Sequence, residues 1–205
     1  MMQQPSSTLA RIHAAAQTEF LNKGFQAASL RSIVKTAGVT TGAFYGYYAS
    51  KEALFAALVD EPYRHVLDTY RAAVSGFASL APEQQVLRMG SVGKNCMQEL
   101  LVYMDARRDA FHLILERAEG TPYAGLIDAL VRIEIDATDR YCAVLRSLGN
   151  DVPFIDPRLS HMLITGMMNA YCEIIIHDML FSDAQRYLDE LADFYTAGWL
   201  KIMGQ

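Results

Sequence analysis

Residues 40–52 read TTGAFYGYYASKE. The stretch gathers the hydroxyls of Thr40, Thr41, Tyr45, Tyr47, Tyr48 and Ser50 with the ammonium of Lys51. Such groups donate hydrogen bonds to phosphate oxygens. No Ser/His/Asp set, phosphate-cradling glycine loop or zinc signature stands anywhere in the chain, so nothing points to catalysis. Two histidines have an acid four residues away: His112 with Glu116, and Glu173 with His177. That spacing can ligate a metal, and it is also the ordinary geometry of a surface pair. No motif backs a metal, and no cofactor is expected. Cys96, Cys142 and Cys172 are odd in number and widely spaced, which reads as buried free thiols in a reducing cytoplasm.

Helical signals position these groups. No period-2 segment bounded by hairpin turns occurs, so the chain is read as all-α. The spacing predicts helices over 7–23, 29–37, 40–47, 50–77, 82–105, 107–118, 122–148, 157–181 and 183–203. Ala81-Pro82, Thr121-Pro122 and Asp156-Pro157 mark helix starts. Ser182 to Gln185 fits a capping box. Pro62 is expected to kink or split the fourth helix. The first helix is expected to bury Leu9, Ile12, Ala16 and Phe20 and to stop at Gly24. Ser29 caps the second, which buries Leu30, Ile33, Val34 and Ala37. Gly38-Val39 turns, and Thr40 caps the third. Two short helices joined by a glycine-containing turn form a helix-turn-helix.

On a wheel of about 100° per residue, Phe44 and Tyr48 share the core side of the third helix. Gly42, Ala43 and Gly46 share the opposite side, with Tyr45 and Tyr47 on the flanks. A bare face lets the backbone approach base edges in a major groove, and each flanking tyrosine can reach a phosphate. Thr41 and Ala43 are candidates to meet a thymine methyl. Ser29, Arg31 and Lys51 are candidates for phosphate. Charge fits this division. Residues 1–60 hold five basic and three acidic side chains, a net +2, and the rest of the chain carries −7. A basic head on an acidic body suggests that only the head meets a polyanion.

The run from Arg11 to Leu58 resembles the DNA-binding domain of the tetracycline-repressor (TetR/AcrR) family. The residues that carry the likeness are F20-LNKGF25, S29-LRSIVKTAGV39 and T40-TGAFYGYYASKEALF55. They cover about a quarter of the chain. The resemblance implies a homodimeric, ligand-responsive transcriptional regulator, usually a repressor, acting in the bacterial cytoplasm. It places Thr40, Thr41 and Ala43 at recognition-helix positions, and Tyr45, Tyr47 and Lys51 at phosphate-contacting positions. Gly46, Ala43 and Thr41 depart from common family residues. Specificity is therefore expected to rest partly on DNA shape.

The implied domains are residues 1–50, the helix-turn-helix, and 51–205, an effector-binding and dimerisation bundle joined through the fourth helix. In the last helix Leu188, Leu191, Tyr195, Gly198 and Ile202 form a heptad-like seam. The helix 157–181 is apolar almost all round. Leu159, Leu163, Gly166 and Ala170 with Leu188, Leu191, Tyr195 and Ile202 are the expected dimer interface. Eight of the ten methionines lie after residue 80, and methionines suit adaptable apolar pockets. Met104, Phe111, His112, Tyr123, Tyr141, Met167 and Tyr171 are expected to line a pocket for a mostly apolar effector. No uncharged run reaches the ~20 residues of a membrane span, and the N-terminus shows no signal-peptide pattern. Two other readings remain open: an all-α binding protein or enzyme with an incidental helix-turn-helix, and an interaction adaptor using the tyrosine face.

Overall fold

The computed structural model describes residues 7–205. The opening MMQQPS, which enters the signal-peptide expectation, lies outside the described residues. The described residues are all-α, with ten helices and no strand. They are α1 (Thr8–Ala27), α2 (Leu30–Ala37), α3 (Thr41–Tyr45), α4 (Lys51–Ala78), α5 (Pro82–Arg88), α6 (Ser91–Asp105), α7 (Arg108–Glu116), α8 (Leu126–Ser147), α9 (Pro157–Ile176) and α10 (Phe181–Ile202). A 3-10 turn over Pro122–Gly125 precedes α8.

The chain divides into two compact units, and not at residue 50. The first holds the described residues through Arg64 together with Arg107–Gly125. The second holds His65–Ala106 and Leu126–Gln205. α4 contributes to both and runs through Pro62 without splitting.

In the first unit Ile12, Ala16 and Phe20 are fully buried, while Leu9, one turn earlier, is exposed. Gly24 has φ 74°, ψ 165°, which kinks the end of α1. Only glycine takes that backbone without strain. The kink swings Phe25 back into the core, where its ring meets Phe55 at 5.1 Å and Phe55 meets Phe20 edge-on at 5.0 Å. Ser29 caps α2 by accepting from the Ser32 amide at 3.3 Å. Glu19 locks that start to α1, accepting from Lys23 Nζ (2.8 Å), the Ser29 amide (3.0 Å) and Ser32 Oγ (2.9 Å). The Lys23 bond foremost, then that of Ser29, holds the Glu19 carboxyl below its usual range. Residues 107–125 close the unit. Phe111, Leu113 and Ile114 of α7 are buried, Asp109 accepts from Gln17 at 2.5 Å, and the Arg117 carbonyl accepts from the Phe25 amide at 2.8 Å.

In the second unit α8 packs on α9, and α10 packs on α6 and α9. The helix expected over 82–105 is broken at Met89-Gly90. Gly90 has φ 84°, and a Cβ there would meet Thr196 at 2.7 Å, so neither backbone nor space admits a side chain. α9 stops at Ile176, and α10 starts at Phe181 behind Leu180 without a side-chain cap, so the capping box at Ser182 does not form. α9 is long and apolar enough, by length and composition alone, to cross a membrane. Uncharged runs do not reveal it because Arg158 and Glu173 interrupt them. Part of its apolar content faces the core: Ile164, Met167, Met168, Tyr171, Ile174 and Ile175 are buried. The three cysteines are free and buried.

Lys51 is the least expected element of the first unit. Its ammonium donates to the carbonyls of Phe25 (2.7 Å), Gln26 (3.2 Å) and Ala28 (3.1 Å), and it lies 4.6 Å from the centre of the Phe25 ring. All three of its donors are used on the C-terminal end of α1. Lys51→Ala is therefore expected to lower stability by about 1–3 kcal/mol, since it strands part-buried carbonyls. A urea melt of the variant checks this, and an unchanged midpoint would contradict it.

Candidate nucleic-acid interface and ligand cavity

α3 is a single helical turn and must be held from outside. Thr40 caps it, accepting from the Ala43 amide at 3.1 Å. Phe44 is fully buried and anchors it from below. The Tyr48 amide still bonds the Phe44 carbonyl at 3.0 Å, so the turn continues past Tyr45. The Tyr48 hydroxyl is hydrogen bonded to His13 of α1. Ser50 then caps α4 through the Ala53 amide at 3.2 Å.

The opposite face is open. Thr41, Gly42, Ala43 and Gly46 are exposed. Tyr45 and Tyr47 stand beside them at 54% and 51% exposure, with no hydrogen-bond partner for either hydroxyl among the described residues. The structure thus brings Thr40, Thr41, Ala43, Tyr45 and Tyr47 together on one short exposed segment. Ser29 and Arg31 are exposed at the start of α2. Lys51 does not join them, since its ammonium is bound to α1. Lys35 was not singled out from the sequence. It lies exposed four residues after Arg31, so the two cations share one face of α2. That spacing is legible in LRSIVKTA.

Residues 12–58 match the family described as bacterial regulatory proteins, tetR family. The head of this chain, residues 12–58, is thus similar to the DNA-binding segment of that family. The transcriptional regulator YvdT of Bacillus subtilis, of helix-turn-helix type and itself uncharacterised, is 37% identical over 76 residues. The match takes in 37% of this chain and only 39% of that relative. Two solved structures share the fold along nearly the whole length. FadR from Bacillus subtilis, solved with stearoyl-CoA, has a TM-score of 0.56 at 16% identity, over 92% of this chain and 97% of that one. A tetR-family protein from Rhodococcus RHA1 has a TM-score of 0.54 at 22% identity, over 97% and 98%.

The second unit contains a cavity of about 150 Å³ that is partly open to solvent. Of the residues expected to line an effector pocket, Tyr141, Met167 and Tyr171 line this cavity. Met104 is buried elsewhere in that unit. Phe111, His112 and Tyr123 belong to the first unit. Tyr123 there donates to Asp60 at 3.0 Å, and His112 Nδ1 lies 2.7 Å from Glu116. Amphipathic spacing told that 107–118 buries one face, but not against which partner.

Sequence reasoning missed the group that gives the cavity its character. Glu134 of α8 lines it and accepts from the buried Tyr70 hydroxyl at 2.6 Å. Burial pushes its carboxyl above the usual range, and the Tyr70 bond only partly offsets that. Tyr70 is itself pushed well up, by burial first and then by Glu134. The signal was present in the spacing. Glu134 falls on the α8 stripe of Leu130, Ala137, Thr138 and Tyr141, where a carboxylate is out of place.

The expected dimer residues separate. Leu188 packs in the core and Tyr195 lines the cavity. Leu191 and Ile202 are half-buried. The exposed stripe of α10 instead runs through Tyr187, Phe194, at 70% exposure, and Gly198. On α9 Leu159, Met162 and Gly166 are exposed, and Leu163 and Ala170 are half-buried.

The raised Glu134 carboxyl gives a pH prediction. Its folded-state value lies above the ordinary 4.5, so folding favours the protonated form. The charged form therefore costs stability once pH rises through the folded value, and that cost disappears as pH falls towards 4.5. Glu134→Gln is expected to raise the melting temperature at pH 7.5, with the gain shrinking as the buffer is taken to pH 5. A gain that is constant with pH, or a loss at pH 7.5, would contradict this.

Proposed function

We propose that this protein is a ligand-responsive, sequence-specific DNA-binding repressor of the bacterial cytoplasm, active as a homodimer. The observation that carries the reading is α3. It is a thin exposed face flanked by two free tyrosine hydroxyls, in a domain whose relatives are transcriptional regulators. Thr40, Thr41 and Ala43 would face bases. Tyr45 and Tyr47 would bond phosphates, and Arg31, Lys35 and Ser29 would meet the backbone beside them. Lys51 acts by holding α1 and is removed from the phosphate contacts.

A dimer places two such segments on one duplex, and the half-sites then lie roughly 34–36 Å apart. The exposed stripes of α9 and α10 support an isologous four-helix contact, with Phe194 near its middle. The cavity supports an effector site. The stearoyl-CoA bound by FadR supports the view that a protein of this fold takes up a small molecule. The wiring of the chain supports coupling. α6 and α8 both line the cavity, and the 107–125 segment that joins them is packed into the head. A ligand that shifts α6 against α8 would pull on that segment, and release from the operator would follow.

The test begins with purified protein mixed with fragmented DNA from its own genome, including the region flanking its gene. Recovery of a near-palindromic site is the expected outcome, and no selective recovery by a folded dimer, refolded to strip any carried ligand, would contradict the reading. On the recovered site Arg31→Ala and Lys35→Ala are each expected to weaken binding to all sequences and to lower the salt slope by about one. An unchanged slope removes that residue from the interface. Phe194→Asp is expected to give monomers in analytical ultracentrifugation, and a dimer that persists would move the interface elsewhere.

A further inference from the structure

We infer that the ligand of the second unit carries a protonated amine seated against Glu134, beside an apolar group no larger than about one aromatic ring. This rests on the reading of the cavity as an effector site and gives that effector its chemical class.

Glu134 faces the cavity with acceptor capacity to spare. A carboxylate has about four acceptor sites, and Tyr70 fills one. Of the two cations in the lining, the Lys94 ammonium is held by Asp193 at 3.2 Å and Asp189 at 3.4 Å. Arg88, the other cation of the lining, is exposed. The charge of Glu134 is felt instead by neutral neighbours, and it adds to the burial that raises Tyr171 and pushes Cys96 up to about 12. A desolvated carboxylate with one neutral donor is a site that a cation completes.

The walls agree. Tyr171, Tyr195, Trp199 and Phe77 line the same space, and aromatic faces attract an ammonium. Tyr141 is 5% exposed, lines the cavity, and has a hydroxyl with no partner. It offers a second polar point for a ligand heteroatom. An anionic ligand would bring a second negative charge to Glu134, which that desolvated carboxylate disfavours. A volume of about 150 Å³ is also far from that of a long acyl thioester, and an apolar cavity of such a size holds about one benzene.

The experiment uses three probes of one shape on the full-length protein: 2-phenylethylamine, 2-phenylethanol and 3-phenylpropanoate. Trp199 is the chain's single tryptophan and lines the cavity, so its fluorescence reports occupancy. The amine is expected to bind about tenfold or more tighter than the alcohol, with the carboxylate weakest. Glu134→Gln is expected to erase that preference. The wild-type ranking needs no variant, so a misfolded variant leaves the test intact. Equal binding of amine and alcohol, a preference for the carboxylate, or no response to the amine at millimolar concentration overturns the inference. The same probes are then added to the protein–operator complex. Amine binding without operator release keeps the ligand class and overturns the effector role. Release by the alcohol or carboxylate in place of the amine keeps the effector role and overturns the class.

Discussion

Phe44 carries the segment on which the head depends. α3 has five residues, too few to be stable alone, and its outer face has no side chain larger than threonine between the two tyrosines. It can stay bare only because its inner face is fixed. Phe44 is fully buried, Thr40 caps the start, and Tyr48 is bonded to His13 beyond the end. The glycines and tyrosines of TTGAFYGYYASKE follow from this division. Small residues keep the outer face thin, large ones anchor it or reach past it, and the cost of glycine in a helix, ~1 kcal/mol each, is offset by packing from below.

That packing is assembled from distant parts of the chain. The kink at Gly24 sets Phe25 against Phe55, Lys51 closes the carbonyls the kink leaves open, and residues 107–125 cover what remains. The second unit makes the opposite choice at Glu134. Desolvation of that half-buried carboxylate costs stability, and its acceptor capacity is left unused. Groups held at such a cost mark sites built for something the free protein lacks. Thus one unit uses its polar groups to finish a rigid surface, and the other leaves one unfinished inside a cavity.

What the sequence disclosed was what is local. The caps at Ser29 and Thr40, the break at Gly24 and the burial of Phe44 are decided within a few residues, and all were legible. The family motif was legible for the same reason. Lys51 was not, because its partners lie 23–26 residues upstream and a lysine's type does not say whether it reaches a phosphate or a carbonyl. Phe111 and Tyr123 were assigned to the wrong surroundings because a buried stripe names no partner. Leu188 and Tyr195 were drawn into a seam by spacing alone, while Phe194, beside them, holds the exposed position. Glu134 could have been found as the charge on a buried stripe. The cavity around it needed the whole bundle.

The central claim is that two copies of α3 enter successive major grooves of one duplex. Hydroxyl-radical and methylation footprinting of the genomic site bound by the dimer tests it most directly. The account predicts two symmetric major-groove protections separated by one helical turn, roughly 34–36 Å, both lost together when Tyr45 and Tyr47 are changed to alanine in a protein that still melts normally. A single unpaired protection, or a footprint that survives the loss of both tyrosines, would contradict it.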